Sequence, residues 1–225
     1  MILKTLQEVS PLQTQKTLSI IELIKNGGLG GQLIIGLLFF LLLMVVYIYF
    51  ERLFAIRSAV KVGPNFMPQI RTFVMNGKVE GAKELCSTEN VPVSRLVYKG
   101  LSRIGRPLDD INTAIENAGR LEVYQLEKNI SILATIAGAA PMLGFLGTVI
   151  GMILSIFEIS NAGGNIDMQL LADGLYTAMT TTVAGLIVGI LGYTTYNHLV
   201  VKTNKAVYQM EATSLEFLDL LNEPA

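Results

Sequence analysis

Three long uncharged apolar stretches divide this chain, and between them charged and apolar residues recur at helical spacing. Twenty-five uncharged residues separate Lys25 from Glu51, 29 separate Lys128 from Glu158, and 28 separate Asp173 from Lys202. A membrane-crossing helix needs about 20 residues, whereas a buried helix of a soluble domain is amphipathic and usually shorter than about 15. The pattern predicts an all-α membrane protein with transmembrane helices at 31–50, 129–159 and 170–200. The first stretch is not read as a cleavable leader: some 30 mixed residues precede it and Phe50-Glu51-Arg52 follows it.

The remaining segments complete the predicted plan. Residues 1–30 form an N-terminal region in which Leu18, Ile20, Ile21, Leu23 and Ile24 make a short interfacial helix ending at Gly27-Gly28. Residues 51–128 carry apolar positions at helical spacing, interrupted at Gly63-Pro64, Pro68, Asn76-Gly77, Val91-Pro92 and Arg106-Pro107, which are read as helix boundaries. Residues 160–169 are a loop and 201–225 a tail. From Asp109 through Glu158 the helical pattern is continuous, with Asp109 and Asp110 suited to the N-terminal end. It predicts one long rod projecting from the membrane, kinked or locally unwound at Pro141, which lacks an amide donor and crowds the preceding turn. The third span is expected to continue beyond the membrane in the same way, through Leu221.

Charge orients the spans. Three basic residues precede the first span (Lys4, Lys16 and Lys25), twelve lie between the first and second, and Lys202 and Lys205 follow the third. Because Lys and Arg are retained on the cytoplasmic side, the N-terminus and the Gly163-Gly164 loop should face outward, and the middle segment and C-terminal tail inward. Charged residues make up only 16% of the chain, against roughly 25% in soluble domains. The net charge of −1 and the absence of a basic stripe argue against nucleic-acid binding. Cys86, the only cysteine, excludes a disulfide scaffold and is read as a reduced thiol. No metal-ligand cluster, phosphate loop or nucleophile–base pair is evident, so an enzyme is not expected and no cofactor is called for. His198 reads as an interfacial polar residue, and Tyr47 and Tyr49 fit an aromatic belt.

The second and third spans differ from the first in texture. Gly144, Gly147, Thr148 and Gly151 recur at three- and four-residue steps in one, and Thr177, Thr180, Thr181, Thr182, Gly185, Gly189 and Gly192 in the other. Small residues let membrane helices approach closely, and threonines bond across helices or to their own backbone. On spacing alone, packing without conduction and a polar ion route stand as alternatives.

The run Ala140-Pro141-Met142-Leu143-Gly144-Phe145-Leu146-Gly147-Thr148-Val149-Ile150-Gly151-Met152 resembles the signature of the ExbB/TolQ/MotA ion-channel family. Thr181-Thr182-Val183-Ala184-Gly185-Leu186-Ile187-Val188 and Tyr196-Asn197 resemble its final span, and Phe50-Glu51-Arg52 the exit of its first. Three spans with an outward N-terminus match the ExbB/TolQ branch. The resemblance implies an inner-membrane motor subunit that forms a pentameric ring around single-span ExbD- or TolR-type partner helices. Ion flow would then drive work on an outer-membrane or envelope target, through a TonB- or TolA-type effector. It places Thr148 and Thr182 on the ion pathway and matches Pro141 to the family's second-span proline; Thr177 and Thr181 are read as part of the same ion pathway.

One departure matters. Where ExbB and TolQ proteins commonly carry a glutamate five residues before the threonine matched by Thr182, this chain has Thr177, so neither span has a carboxylate at its centre. A partner helix would supply the ion-carrying acid, while this chain offers hydroxyls and carbonyls. Such oxygens suit a protonating carboxylate and also a hard cation, so H+ is expected and Na+ stays open. Asp173 is the candidate cation attractor at the outer mouth or a helix cap, and Glu158 an interfacial residue. A non-conducting membrane scaffold is the competing reading, and a solute transporter a weaker third.

Overall fold

A computed structural model describes residues 28–161 and 168–222, and everything described is helix, turn or short connection, without a strand. Among the described residues seven helices follow in order: α1 (Gly28–Ala59), α2 (Phe66–Met75), α3 (Val79–Glu89), α4 (Pro92–Leu101), α5 (Leu108–Glu127), α6 (Ile130–Asn161) and α7 (Met168–Asn222). Among the described residues, three helical stretches, Gly30–Ala59, Leu108–Asn161 and Gly174–Asn222, are long and apolar enough to cross a membrane; they contain the second and third uncharged runs and the first from Gly30 onward. The proposed short helix before Gly27-Gly28 lies outside the described residues.

α1, α6 and α7 pack together as a three-helix unit, with the α6–α7 contact the most extensive between the described helices. Each buries a stripe at three- and four-residue spacing: Ile34, Leu38, Val45, Ile48, Arg52 and Ile56 on α1, and Leu133, Ile136, Ala140, Gly144 and Gly147 on α6. The opposite faces expose Leu33, Phe39, Phe40, Met142, Phe145, Ile153, Ile187 and Ile190. In water that exposure would be costly; in hydrocarbon it is the solvated surface.

Beyond the spans, α2 to α5 pack with the C-terminal half of α7 in a bundle centred on α4. Val93, Leu96, Val97 and Leu101 of α4 are buried with Ile111 and Ile115 of α5 and Phe217 and Leu220 of α7. Gly100 lets Ile115 and Phe217 close over the helix, since a β-carbon there would lie 2.9 Å from Ile115 Cδ1. Pro92 starts α4, where a missing N–H costs nothing, and the Ser94 hydroxyl accepts from Val91 N–H at 3.0 Å. Arg95 of α4 reaches Glu122 of α5 with two bonds of 2.6 Å each. That hydrogen-bonded carboxylate raises the guanidinium pKa above its ordinary value against the opposing effect of burial. Cys86 is buried on α3, and desolvation pushes its thiol up to about 12.

Most sequence-based boundaries hold: Gly63-Pro64, Asn76-Gly77, Val91-Pro92 and Arg106-Pro107 all fall between helices or at their first residues. Pro68 does not. It lies in the first turn of α2, where its missing amide donor is among those a helix start leaves unpaired anyway. The long rod is also corrected. The helix stops at Glu127, Lys128 adopts an extended ψ of 134°, Asn129 takes a left-handed φ of 64°, and α6 begins at Ile130. Asparagine enters that region at little cost, so two residues suffice to separate a membrane helix from a bundle helix with a different burial stripe. Unwinding at Pro141 does not occur, for α6 is helical from Ile130 to Asn161. The third span behaves as expected. At 1.5 Å per residue the 55 residues of α7 run about 80 Å, far beyond a hydrocarbon core of about 30 Å.

Candidate ion-handling site

The glycines of α6 and α7 bring the two backbones into direct contact. A β-carbon on Gly144 would lie 2.8 Å from Thr181 O and 3.1 Å from the α-carbons of Thr182 and Gly185. One on Gly185 would lie 2.6 Å from Ala140 O. Neither position tolerates a side chain without the helices separating, because the opposing atoms are backbone. Pro141 belongs to the same seam: its ring would be 2.6 Å from a β-carbon at Gly189, so that glycine accommodates the proline turn.

This approach gathers hydroxyls on one carbonyl. Thr181 Oγ1 donates to Ala178 O at 2.8 Å and lies 3.3 Å from Gly144 O, while Thr182 Oγ1 donates to Gly144 O at 3.2 Å. Thr148 Oγ1 donates to Phe145 O at 2.5 Å, one turn back on its own helix. In each case the single O–H is committed to a carbonyl, which leaves the oxygen's lone pairs as acceptors. The set can therefore take a cation, or the O–H of a protonated acid, but offers no free donor to a carboxylate.

The threonines divide by exposure. Thr181 is fully buried against Gly147, and Thr177 is 7% exposed, its methyl facing Gly31 of α1. Thr148 and Thr182 are half-buried, on the rim of the seam. Glu158 is exposed near the end of α6. Asp173 falls in the second turn of α7, whose first residue is Met168, so it does not occupy the capping position; its side chain lies outside the described residues. At the other end of the spans, Tyr49 Oη and His198 Nδ1 are hydrogen-bonded at 3.0 Å, tying α1 to α7.

Sequence reasoning did not single out Gly144 O as the meeting point of two threonines, the Tyr49–His198 tie, or the burial of Arg52. The spacing of Gly144 with Gly147 and Gly151 marked a packing face, but only the facing register of α7 shows which carbonyl the threonines reach.

Residues 88–212 match the model of the MotA/TolQ/ExbB proton channel family, more than half of the chain and all of the α6–α7 seam. This chain belongs to that family. Among curated MotA/TolQ/ExbB proteins, a protein described as an ExbB homolog from Methanothermobacter thermautotrophicus is 26% identical over 198 residues, covering 86% of this chain and 67% of its own length. The biopolymer transport protein ExbB of Aquifex aeolicus is 37% identical over 112 residues, 48% of this chain and 74% of that protein. The Tol-Pal system protein TolQ of Haemophilus influenzae is 30% identical over 112 residues, 50% and 49% of the two chains. These matches support the ExbB/TolQ branch and a multi-pass membrane protein of a proton channel family.

Proposed function

We propose that this chain is the ion-conducting stator subunit of an ExbB/TolQ-type inner-membrane motor, with its N-terminus periplasmic and its C-terminus cytoplasmic. Copies of it form a pentameric ring around a single-span ExbD/TolR-type partner. The observation that carries the reading is the row of threonine oxygens on the α6–α7 seam whose hydrogens are already committed to helix carbonyls. Such oxygens accept from an acid in its protonated state and release it once it ionises, because they have no hydrogen left to stabilise the carboxylate. Thr148 and Thr182 on the rim meet the partner's acid, Thr181 and Thr177 hold the seam behind them, and Asp173 attracts cations at the outer mouth. The coupling ion is H+, with Na+ the alternative for the same oxygen donors. The motion energises a TonB- or TolA-type effector acting on the outer membrane or envelope.

The burial of Thr177 and Thr181 within one chain favours a second reading, a non-conducting scaffold that uses the seam only for packing. Ion-driven function in cells that also express the partner separates the two. Thr148→Ala and Thr182→Val should assemble normally and lose most activity; normal activity in both assembled variants removes the conduction reading. Activity that is independent of sodium and collapses with the proton gradient removes the sodium alternative.

A further inference from the structure

The inward stripe of α1 runs Val45, Ile48, Arg52, Ile56, and so places an arginine at a core position two residues beyond the end of the apolar run. Its side chain is only 10% exposed. One terminal nitrogen donates to Gln125 O at 3.2 Å and the other pairs with Glu51. The third nitrogen, Nε, is buried and makes no hydrogen bond. A buried charged group with an unused donor is costly unless something completes its coordination.

Arg52 lines a cavity of about 660 Å³ between α1, the start of α4 and the end of α5, together with Ser58, Asn90, Arg95, Gln125 and Lys128. The cavity also includes Glu122, but both of that residue's carboxylate oxygens are engaged by Arg95. With Arg95 paired to Glu122 and Arg52 to Glu51, Lys128 is left as one surplus positive charge on the cavity wall, beside the unused Nε donor of Arg52. The cavity's position selects the source of the anion. Phe50 and Phe54, exposed on α1 on either side of Arg52, put the cavity at the boundary where hydrocarbon gives way to head groups.

We propose that this cavity binds the phosphate of an anionic phospholipid, held by the Arg52 guanidinium and the Lys128 ammonium, with the acyl chains lying along the exposed apolar face of α1. Guanidinium groups match phosphate geometry, and basic pockets at the ends of spans recognise anionic head groups. The inference needs only that α1 spans the membrane; it does not depend on the conduction reading.

Native mass spectrometry of the full-length protein in detergent, titrated with phosphatidylglycerol, phosphatidylcholine or inorganic phosphate, tests it. Phosphatidylglycerol should bind at one site per chain, and phosphatidylcholine and inorganic phosphate should fail to compete for it. Lys128→Gln should weaken phosphatidylglycerol binding about fivefold, the value of one interfacial basic residue, and Arg52→Gln about tenfold or more. Arg57→Gln, the same charge change on the same helix at an exposed position away from the cavity, should leave it unchanged. Arg52→Gln is scored only if its circular dichroism and elution volume match wild type; otherwise Lys128→Gln against Arg57→Gln decides. Equal loss in those two variants, unaltered binding in Lys128→Gln, or displacement of the lipid by inorganic phosphate overturns the proposal.

Discussion

Gly144→Ala tests the seam at its tightest point. The added methyl carbon would sit 2.8 Å from Thr181 O and 3.1 Å from two α-carbons of α7, well inside ordinary contact distance. No rotamer change relieves a clash with backbone, so α6 and α7 must move apart by several tenths of an ångström or more. Overpacking of this kind costs about 1–3 kcal/mol. The separation also lengthens the contacts of Thr181 and Thr182 with Gly144 O, now at 3.3 and 3.2 Å, past useful range. The one interhelical hydrogen bond among these, from Thr182, is worth about 0.6 kcal/mol in a membrane protein. Replacing a helical glycine by alanine returns about 1 kcal/mol through intrinsic propensity. The net expectation is a loss of about 0.5–2.5 kcal/mol. The assay is reversible unfolding in mixed micelles followed by far-ultraviolet circular dichroism. Gly138→Ala on the same helix is the control, because a β-carbon there meets nothing within 4 Å, and it should be neutral or slightly stabilising. If Gly144→Ala unfolds at the same denaturant concentration as Gly138→Ala, the glycine contact between α6 and α7 is refuted.

Other consequences follow from the bundle and the membrane boundary. Glu122→Gln removes the charge that pairs with Arg95 across α4 and α5 and should cost roughly 1–2 kcal/mol in thermal unfolding; an unchanged melting temperature would show that the pair contributes nothing. Cys86 should resist thiol reagents at pH 8 in the folded protein and react once unfolded, since its thiol is raised from the ordinary 9.0 to about 12 by burial. The folded state holds the thiol proton more tightly, so this contribution to stability is intact below pH 9 and declines as pH rises from 9 toward 12. Cys86→Ala should lack that part of the alkaline decline, and parallel stability curves for the two proteins would contradict the assignment. Tyr49→Phe deletes the hydrogen bond to His198 and should lower stability by roughly 0.6 kcal/mol, measured by the same micelle unfolding. A larger loss would show that the pair anchors more than the α1–α7 contact.

Much of the architecture is written in where charge is absent. Twenty-five or more uncharged residues can satisfy their backbone in hydrocarbon only as a helix, so the number of spans and their approximate limits follow from the chain itself. Glycine and proline mark most bundle boundaries for equally local reasons, since φ at Gly77 and the missing donor of Pro92 act within one turn. The motif around Thr148 was likewise legible, and so was the family to which it points. The break at Asn129 was not, because an asparagine inside a helical pattern carries no obligation to enter the left-handed region until packing on both sides makes use of it.

Helix rotation was the larger omission. In a soluble helix, polar residues mark the outward face, but α1 and α6 are apolar all round, and the side facing lipid reads like the side facing protein. Sequence alone therefore could not show that Thr177 and Thr181 turn inward while Thr148 and Thr182 stay on the rim, or that Arg52 falls on the buried stripe of α1. Tertiary packing decides both, because without a hydrophobic force between membrane helices their rotation is set by which small residues allow the backbones to touch, and those contacts depend on two helices at once.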